Sequence, residues 1–134
     1  MSGDEEPIFS ALDALDHALE WRDVAAAVSC FVDDDDVTFW GSAKPERAVG
    51  QAELRRLLEW ICSHPGTFAM AFDARRVRVA GDIAWVNDEG TATWDPGDGV
   101  PQQLPDRSVT VLVRRDGRWL IHTFLGAEPA DMAG

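Results

Sequence analysis

RSVTVLVRRDGRWLIHTFLG, residues 107–126, decides how the rest of the chain is read. Two runs rich in β-branched and apolar residues flank Asp116-Gly117, a strong short-range signal for a β-hairpin. A sheet that carries this hairpin needs a cover on one face, and the helical segments earlier in the chain are the only cover available. A pocket between sheet and helices is the expected seat of function.

The turn sets which side chains share a face. A two-residue turn at Asp116-Gly117 pairs Arg107, Val109, Val111 and Val113 with Leu120, His122 and Phe124. A type I turn at Arg115-Asp116, with Gly117 in a left-handed bulge, pairs them with Trp119, Ile121, Thr123 and Leu125. The bulged form is preferred, because it collects Val109, Val111, Val113, Trp119 and Ile121 on one apolar face that suits a core under helices. Arg107, Thr123 and Leu125 then stand at the pocket end of that face. The opposite face carries Thr110, Leu112, Leu120, His122 and Phe124. It is too apolar for water and is assigned to a homodimer interface. His122 joins Arg107 in the pocket only if the two-residue turn forms.

Working outward, Ile83–Trp94 and Thr67–Ala80 read as strands joined by a Gly81-Asp82 turn, with Gly90 marking a bulge or a close backbone approach. Asp95–Pro105 reads as a Pro/Gly loop able to hang over a pocket mouth. Gln51 to about Ser63 reads as a helix with Leu54, Leu57, Leu58 and Ile61 on one side. Ser42–Gly50 reads as a loop, and Val37–Trp40 as a short strand. Ile8, Leu12, Leu15 and Leu19 form an apolar stripe on a first helix of about residues 8–20. Asp23 caps a second, from Val24 to about Phe31. Asp33–Asp36 reads as a solvated acidic turn, because it lacks the ligand spacing and glycine of a calcium loop. The class is α+β: three helices toward the N-terminus, packed on a curved antiparallel sheet.

The 134 residues suit one domain, 1–134, with a real core. The formal net charge of −12 disfavours nucleic acid and anionic membrane as partners. Met1–Pro7 is acidic and has no apolar signal region, and no run is long enough to span a bilayer, so the expected location is the cytoplasm. Cys30 and Cys62 sit in apolar helical stretches and read as buried thiols. His17, His64 and His122 lie far apart and no Cys-x-x-Cys occurs, so neither a metal nor a cofactor is expected. The chain contains no tyrosine, which removes any mechanism that needs a phenolic donor.

Phe31–Asp36 running into Val37-Thr38-Phe39-Trp40-Gly41-Ser42, Ala48-Val49-Gly50 before Glu53-Leu54, Asp82–Val86 with Glu89-Gly90, and Arg107 through Asp116-Gly117-Arg118-Trp119 together resemble the SnoaL-like branch of the NTF2-like superfamily over about residues 8–129. The resemblance implies an α+β cone with an internal pocket and a dimer packed sheet to sheet. It also points to the bulged turn. Similar chains often read H-G-S-E-P near the C-terminus, where this one has Leu125-Gly126-Ala127-Glu128-Pro129. Ketosteroid-isomerase-like members place a carboxylate about where Phe39 stands and also use a tyrosine. Scytalone-dehydratase-like chemistry uses tyrosines too. Those mechanisms are not supported here.

The candidate ligand-binding residues are therefore Phe39, Trp40, Glu89, Trp94, Arg107, Thr123 and Leu125. Trp40 and Trp94 end strands beside loops. A guanidinium near apolar walls needs an anion, so Arg107 either pairs with Glu89 or an aspartate or holds a ligand's carboxylate or enolate-like oxygen. Glu89 is the leading carboxylate for a general base. Its neighbour Asp88 points to the opposite face. Two readings follow. One is a protein that binds a small apolar or weakly acidic molecule, with cofactor-free isomerisation, cyclisation or dehydration as its chemistry. The other is a non-catalytic homodimeric module that binds a ligand or another protein. In both, the dimer forms through Leu112, Leu120, His122 and Phe124.

Overall fold

A computed structural model describes residues 5–132. Helix α1 (Glu5–Glu20) buries Ile8, Leu12, Leu15 and Ala18, one stripe at helical spacing. Helix α2 (Val24–Ser29) is capped as expected: Asp23 accepts a 3.1 Å hydrogen bond from the Ala26 N–H. Strand β1 (Thr38–Trp40) and strand β2 (Arg47–Val49) follow, then helix α3 (Gln51–Ser63), whose Leu54, Leu57 and Leu58 are buried. Three long strands and a shorter one complete the chain: β3 (Thr67–Ala80), β4 (Ile83–Asp95), β5 (Gln102–Arg115) and β6 (Arg118–Ala127).

The six strands form one sheet in the order β2-β1-β6-β5-β4-β3. It is mixed rather than wholly antiparallel, because β1 runs parallel to β6, with Phe39 opposite Phe124. Two segments read as loops are partly strand: Arg47–Val49 pairs with β1, and β5 begins at Gln102 rather than at Arg107. Among the described residues, no helix is long and apolar enough to cross a membrane.

The hairpin corrects the preferred turn. Asp116 and Gly117 both have positive φ, 51° and 77°, and Arg115 faces Arg118, so the two-residue turn forms. That register sets Val113 against Leu120 and Arg114 against Trp119. A bulge follows: Leu112 faces Ile121 and Val111 faces Thr123, leaving His122 as the extra residue. Beyond it, Val109 meets Leu125 and Arg107 meets Ala127, a pairing that neither turn predicts, although it puts Thr123 and Leu125 on the face of Val109 and Val111 as the bulged form does. The two-residue-turn register thus holds from the turn to Leu112, and the bulge at His122 shifts the pairing by one residue beyond it.

The faces are consequently reversed for β5. The helices cover Thr110 and Leu112, together with Ala84, Val86, Trp119 and Ile121. Val109, Val111 and Val113 lie on the outer face. Both faces of β5 are apolar, so its alternation alone cannot choose between them. Its neighbour β4 does: Ala84 and Val86 are fully buried, whereas Ile83 and Trp85 are 48% and 38% exposed. Leu112 is fully buried, and Phe124 stacks on Phe39 at 4.7 Å, so neither is available to a dimer interface.

Gly90 is a close approach, as expected. A Cβ there would collide with the Ala71 carbonyl oxygen. The contact lies beside a second bulge, where β3 carries Asp73 as an extra residue between Phe72 and Ala74.

Candidate functional site

The outer face reads as four cross-strand rows from β3 to β6. Ala80, Ile83, Val113 and Leu120 form the first, and Arg78, Trp85, Val111 and Thr123 the second. The third is Arg76, Asn87, Val109 and Leu125, and the fourth is Ala74, Glu89, Arg107 and Ala127. The first two rows are mainly apolar. The last two line a cavity of about 380 Å³, with Arg76, Asn87, Glu89 and Arg107 as their polar members; Asp88 and Ser108, from the alternate positions of β4 and β5, border it as well. Arg107 Nε donates to Glu89 Oε2 at 3.0 Å, so the internal ion pair considered for Arg107 does form.

The structure thus brings Glu89, Arg107 and Leu125 together, but on the side of the sheet away from the helices. Trp40 is 45% exposed and sits beside Leu125 across β1 and β6. Thr123 lies one row away, and its hydroxyl is 2.7 Å from His122 Nδ1. Two candidates are elsewhere. Phe39 is a buried core residue, stacked on Phe124. Trp94 is in register with Phe68 near the far end of β4, with its ring beside Gly66.

The helix-covered face holds a different constellation, one the sequence reading missed. Asp88, only 6% exposed, receives Arg75 in a fork: Nε at 2.9 Å on Oδ1 and Nη2 at 3.3 Å on Oδ2. Burying a carboxylate on this face demands such a partner. The same guanidinium reaches Asp13 of α1 at 3.8 Å and lies over the rings of Phe72 (3.9 Å) and Phe9 (4.8 Å). Asp16 stands nearby on α1. By surface area Asp16 is exposed, but its carboxyl lies close enough to Asp13, Arg75 and Asp88 to feel their charges. Burial, then the negative charge of Asp13, push its pKa up to about 6; Arg75 opposes the rise and Asp88 adds to it. Asp106 is raised too, by burial first and then by Glu128, Asp88 and Glu46. Met70, Phe72 and Trp94 remain half-exposed on this side, so the helices leave one end of the concave face open.

Such a recess can exchange protons. A carboxyl with a pKa near neutrality donates in one half of a reaction and accepts in the other. Arg75 is occupied by two carboxylates and acts on Asp88 by holding it charged and oriented. The signal for Asp88 was in the sequence: alternation along β4 puts it on the face of Ala84 and Val86, and Arg75 is its cross-strand partner.

Although the two-residue turn forms, His122 does not join Arg107, because it is the extra residue of the bulge. It is half-buried at the bulge, and its Nε2 donates to Asp36 Oδ1 at 2.9 Å. Asp34, Asp36 and His122 bring three ligand-type atoms within 4.8 Å of one another and are the residues that could hold a metal ion. Arg115 already engages both oxygens of Asp34, at 2.6 and 2.7 Å, and holds its pKa below the usual value.

Comparison with known proteins places this geometry in context. Residues 8–124 match the sequence pattern of the SnoaL-like domain. No curated protein is matched by the sequence. Solved structures are matched along nearly the whole chain. A candidate dehydratase of the NTF2-like family from Streptomyces avermitilis superposes with a TM-score of 0.84 at 19% identity, covering 96% of this chain and 97% of that one. An NTF2-like protein of unknown function from Pseudomonas putida gives 0.80 at 21%, over 98% and 92%. A ketosteroid isomerase-like protein from Erwinia carotovora atroseptica gives 0.74 at 23%, over 98% and 100%. At these identities the likeness concerns the fold.

Proposed function

Because the chain belongs to the SnoaL-like domain family, we propose that it binds a small molecule in the recess between α1 and the sheet, with Asp16 as the group that transfers a proton. The observation that carries this reading is a carboxyl of raised proton affinity beside a buried, oriented Asp88–Arg75 pair, at the open end of the concave face. Phe72 and Phe9, whose rings lie against the Arg75 guanidinium, offer apolar walls there. The ligand class that fits is small, mainly apolar, and carries a carbonyl or hydroxyl oxygen for Asp16 to protonate. Acid–base isomerisation, cyclisation or dehydration is the corresponding chemistry. The fold is shared with a candidate dehydratase and a ketosteroid isomerase-like protein, which supports that class.

The dimer belongs in the same proposal, with a corrected surface. Ile83, Trp85, Val111, Val113 and Leu120 form a contiguous apolar strip on the outer face, and a second copy of the chain is its proposed cover. A non-catalytic dimeric module is the second reading. It is favoured by one observation: both central arginines already have internal partners, Arg75 with Asp88 and Arg107 with Glu89.

Native mass spectrometry on gently purified protein tests both parts. The expected result is a dimer carrying a small molecule that is released on denaturation. That molecule should be turned over by the wild type, and should be bound but unchanged by Asp16→Asn. A dimer that is empty, or one whose ligand is processed equally well by Asp16→Asn, would move the protein to the second reading.

A further inference from the structure

The recess on the helix side leaves the cavity on the opposite face unexplained. We infer that this cavity is a separate binding site for a carboxylate with an apolar body, held by Arg76 and Arg107. Its volume of about 380 Å³ lies within the usual span of small-molecule sites, roughly 300–1,000 Å³. The proposal goes beyond the proton-transfer reading and does not depend on it.

Three features point to this ligand. The first is charge. In a chain of net charge −12, the cavity sets two guanidiniums against Glu89; Asp88 also borders it, but its carboxylate is turned to the helix side and held by Arg75. Among the described residues Arg76 has no ion-pair or hydrogen-bond partner. Arg107 uses only its Nε on Glu89, which leaves both terminal nitrogens to donate. The second is shape. The guanidinium fork suits a planar carboxylate, which takes two parallel hydrogen bonds, and the Asn87 amide on the same row adds a further donor. The third is the wall: Ala74, Val109, Leu125 and Ala127 supply apolar surface for the rest of the ligand.

Glu89 sets the specificity. Its charge opposes a dianion such as phosphate more strongly than a monocarboxylate. It also competes with the ligand for Arg107, so the site is held partly neutralised while empty. An incoming carboxylate takes the terminal nitrogens of Arg107 that Glu89 leaves free and so shares the guanidinium with it.

The test is a titration of the full-length protein with phenylacetate, followed by amide chemical shifts in a ¹⁵N-labelled sample. Phenylacetamide and inorganic phosphate serve as comparators. Shifts should centre on residues 87–90 and 107–109, with binding saturable by phenylacetate and absent for the neutral amide. Arg107→Gln and Arg76→Gln should each weaken binding by about tenfold or more, the loss expected for one charge-assisted contact. Glu89→Gln should tighten it, because the internal competitor for Arg107 is gone. Asp16→Asn should leave it unchanged, which separates failure here from failure of the proton-transfer reading. The inference is overturned if phenylacetate and phenylacetamide bind alike, if phosphate binds better, if neither arginine variant changes the affinity, or if Glu89→Gln weakens binding.

Discussion

Asp16→Asn removes a charge that the native recess disfavours, and it keeps the side chain's shape. In the folded chain the carboxyl titrates near 6, against 3.8 for a free group. A raised folded pKa means that the native state holds its proton more tightly than the unfolded state does. Stability from this group is therefore greatest below about pH 4 and declines as pH rises towards 6. At about 1.4 kcal/mol per tenfold change in proton affinity, the upper bound on that loss is near 3 kcal/mol. Solvent reaches part of Asp16 and screens the interaction, which leaves about 1 kcal/mol as the expected effect. The asparagine variant escapes the loss. Urea unfolding of both proteins, at one protomer concentration and from pH 3.5 to pH 8, should show them equal in acid. Asp16→Asn should become about 1 kcal/mol more stable by pH 7.5. A pH-independent difference, or a wild type that is more stable at pH 7.5, would refute the reasoning about the recess.

Other perturbations separate the two faces of the sheet. Leu112→Ala should cost about 3 kcal/mol in urea unfolding, because Leu112 is fully buried beneath the helices. Phe124→Asp should unfold the protein instead of merely dissociating a dimer, since it puts a charge against Phe39; circular dichroism distinguishes the two outcomes. On the proposed outer-face dimer, Val111→Glu should keep the fold but lower the mass seen by light scattering from dimer to monomer; a mass equal to the wild type's would count against that surface. Arg75→Met should destabilise by about 3 kcal/mol or more by leaving Asp88 buried without its partner, and a double variant with Asp88→Leu should recover much of that loss.

Helices, turns and most strands were legible because their signals are local. The stripe of α1, the Asp23 cap, the limits of α3 and the length of β3 all follow from spacing and punctuation within a few residues. Strand β2 was not legible, because Arg47-Ala48-Val49 is too short for a pattern and exists only through its pairing with β1. The parallel β1–β6 pairing is likewise a long-range fact. For the hairpin, each candidate register satisfied the apolar pattern, and the bulge at His122, which changes the register partway along, is not signalled by either. One wrong turn therefore placed Leu112 and Phe124 outside and Val109, Val111 and Val113 inside. The candidate site shows the same limit. Glu89, Arg107 and Leu125 were grouped correctly as neighbours, because cross-strand pairing is periodic. The face they occupy was misread. Asp88 was seen to oppose Glu89 along the strand, but its meaning depended on a partner one strand away.

The position of β3 at the sheet's edge bears on how the protein survives its own concentration. Fourteen residues of strand along an open edge, Thr67–Ala80, could template the addition of further chains end on end. The extra residue Asp73 breaks that edge into two shorter runs, and Arg76 and Arg78 give the second like charge. Incoming strands would lose ladder continuity at the bulge and meet repulsion beyond it. The irregularity that bends the sheet beside Gly90 thus also guards against fibrillar stacking. Straightening it by deleting Asp73 is expected to raise the rate of aggregation, read by light scattering against the unaltered chain.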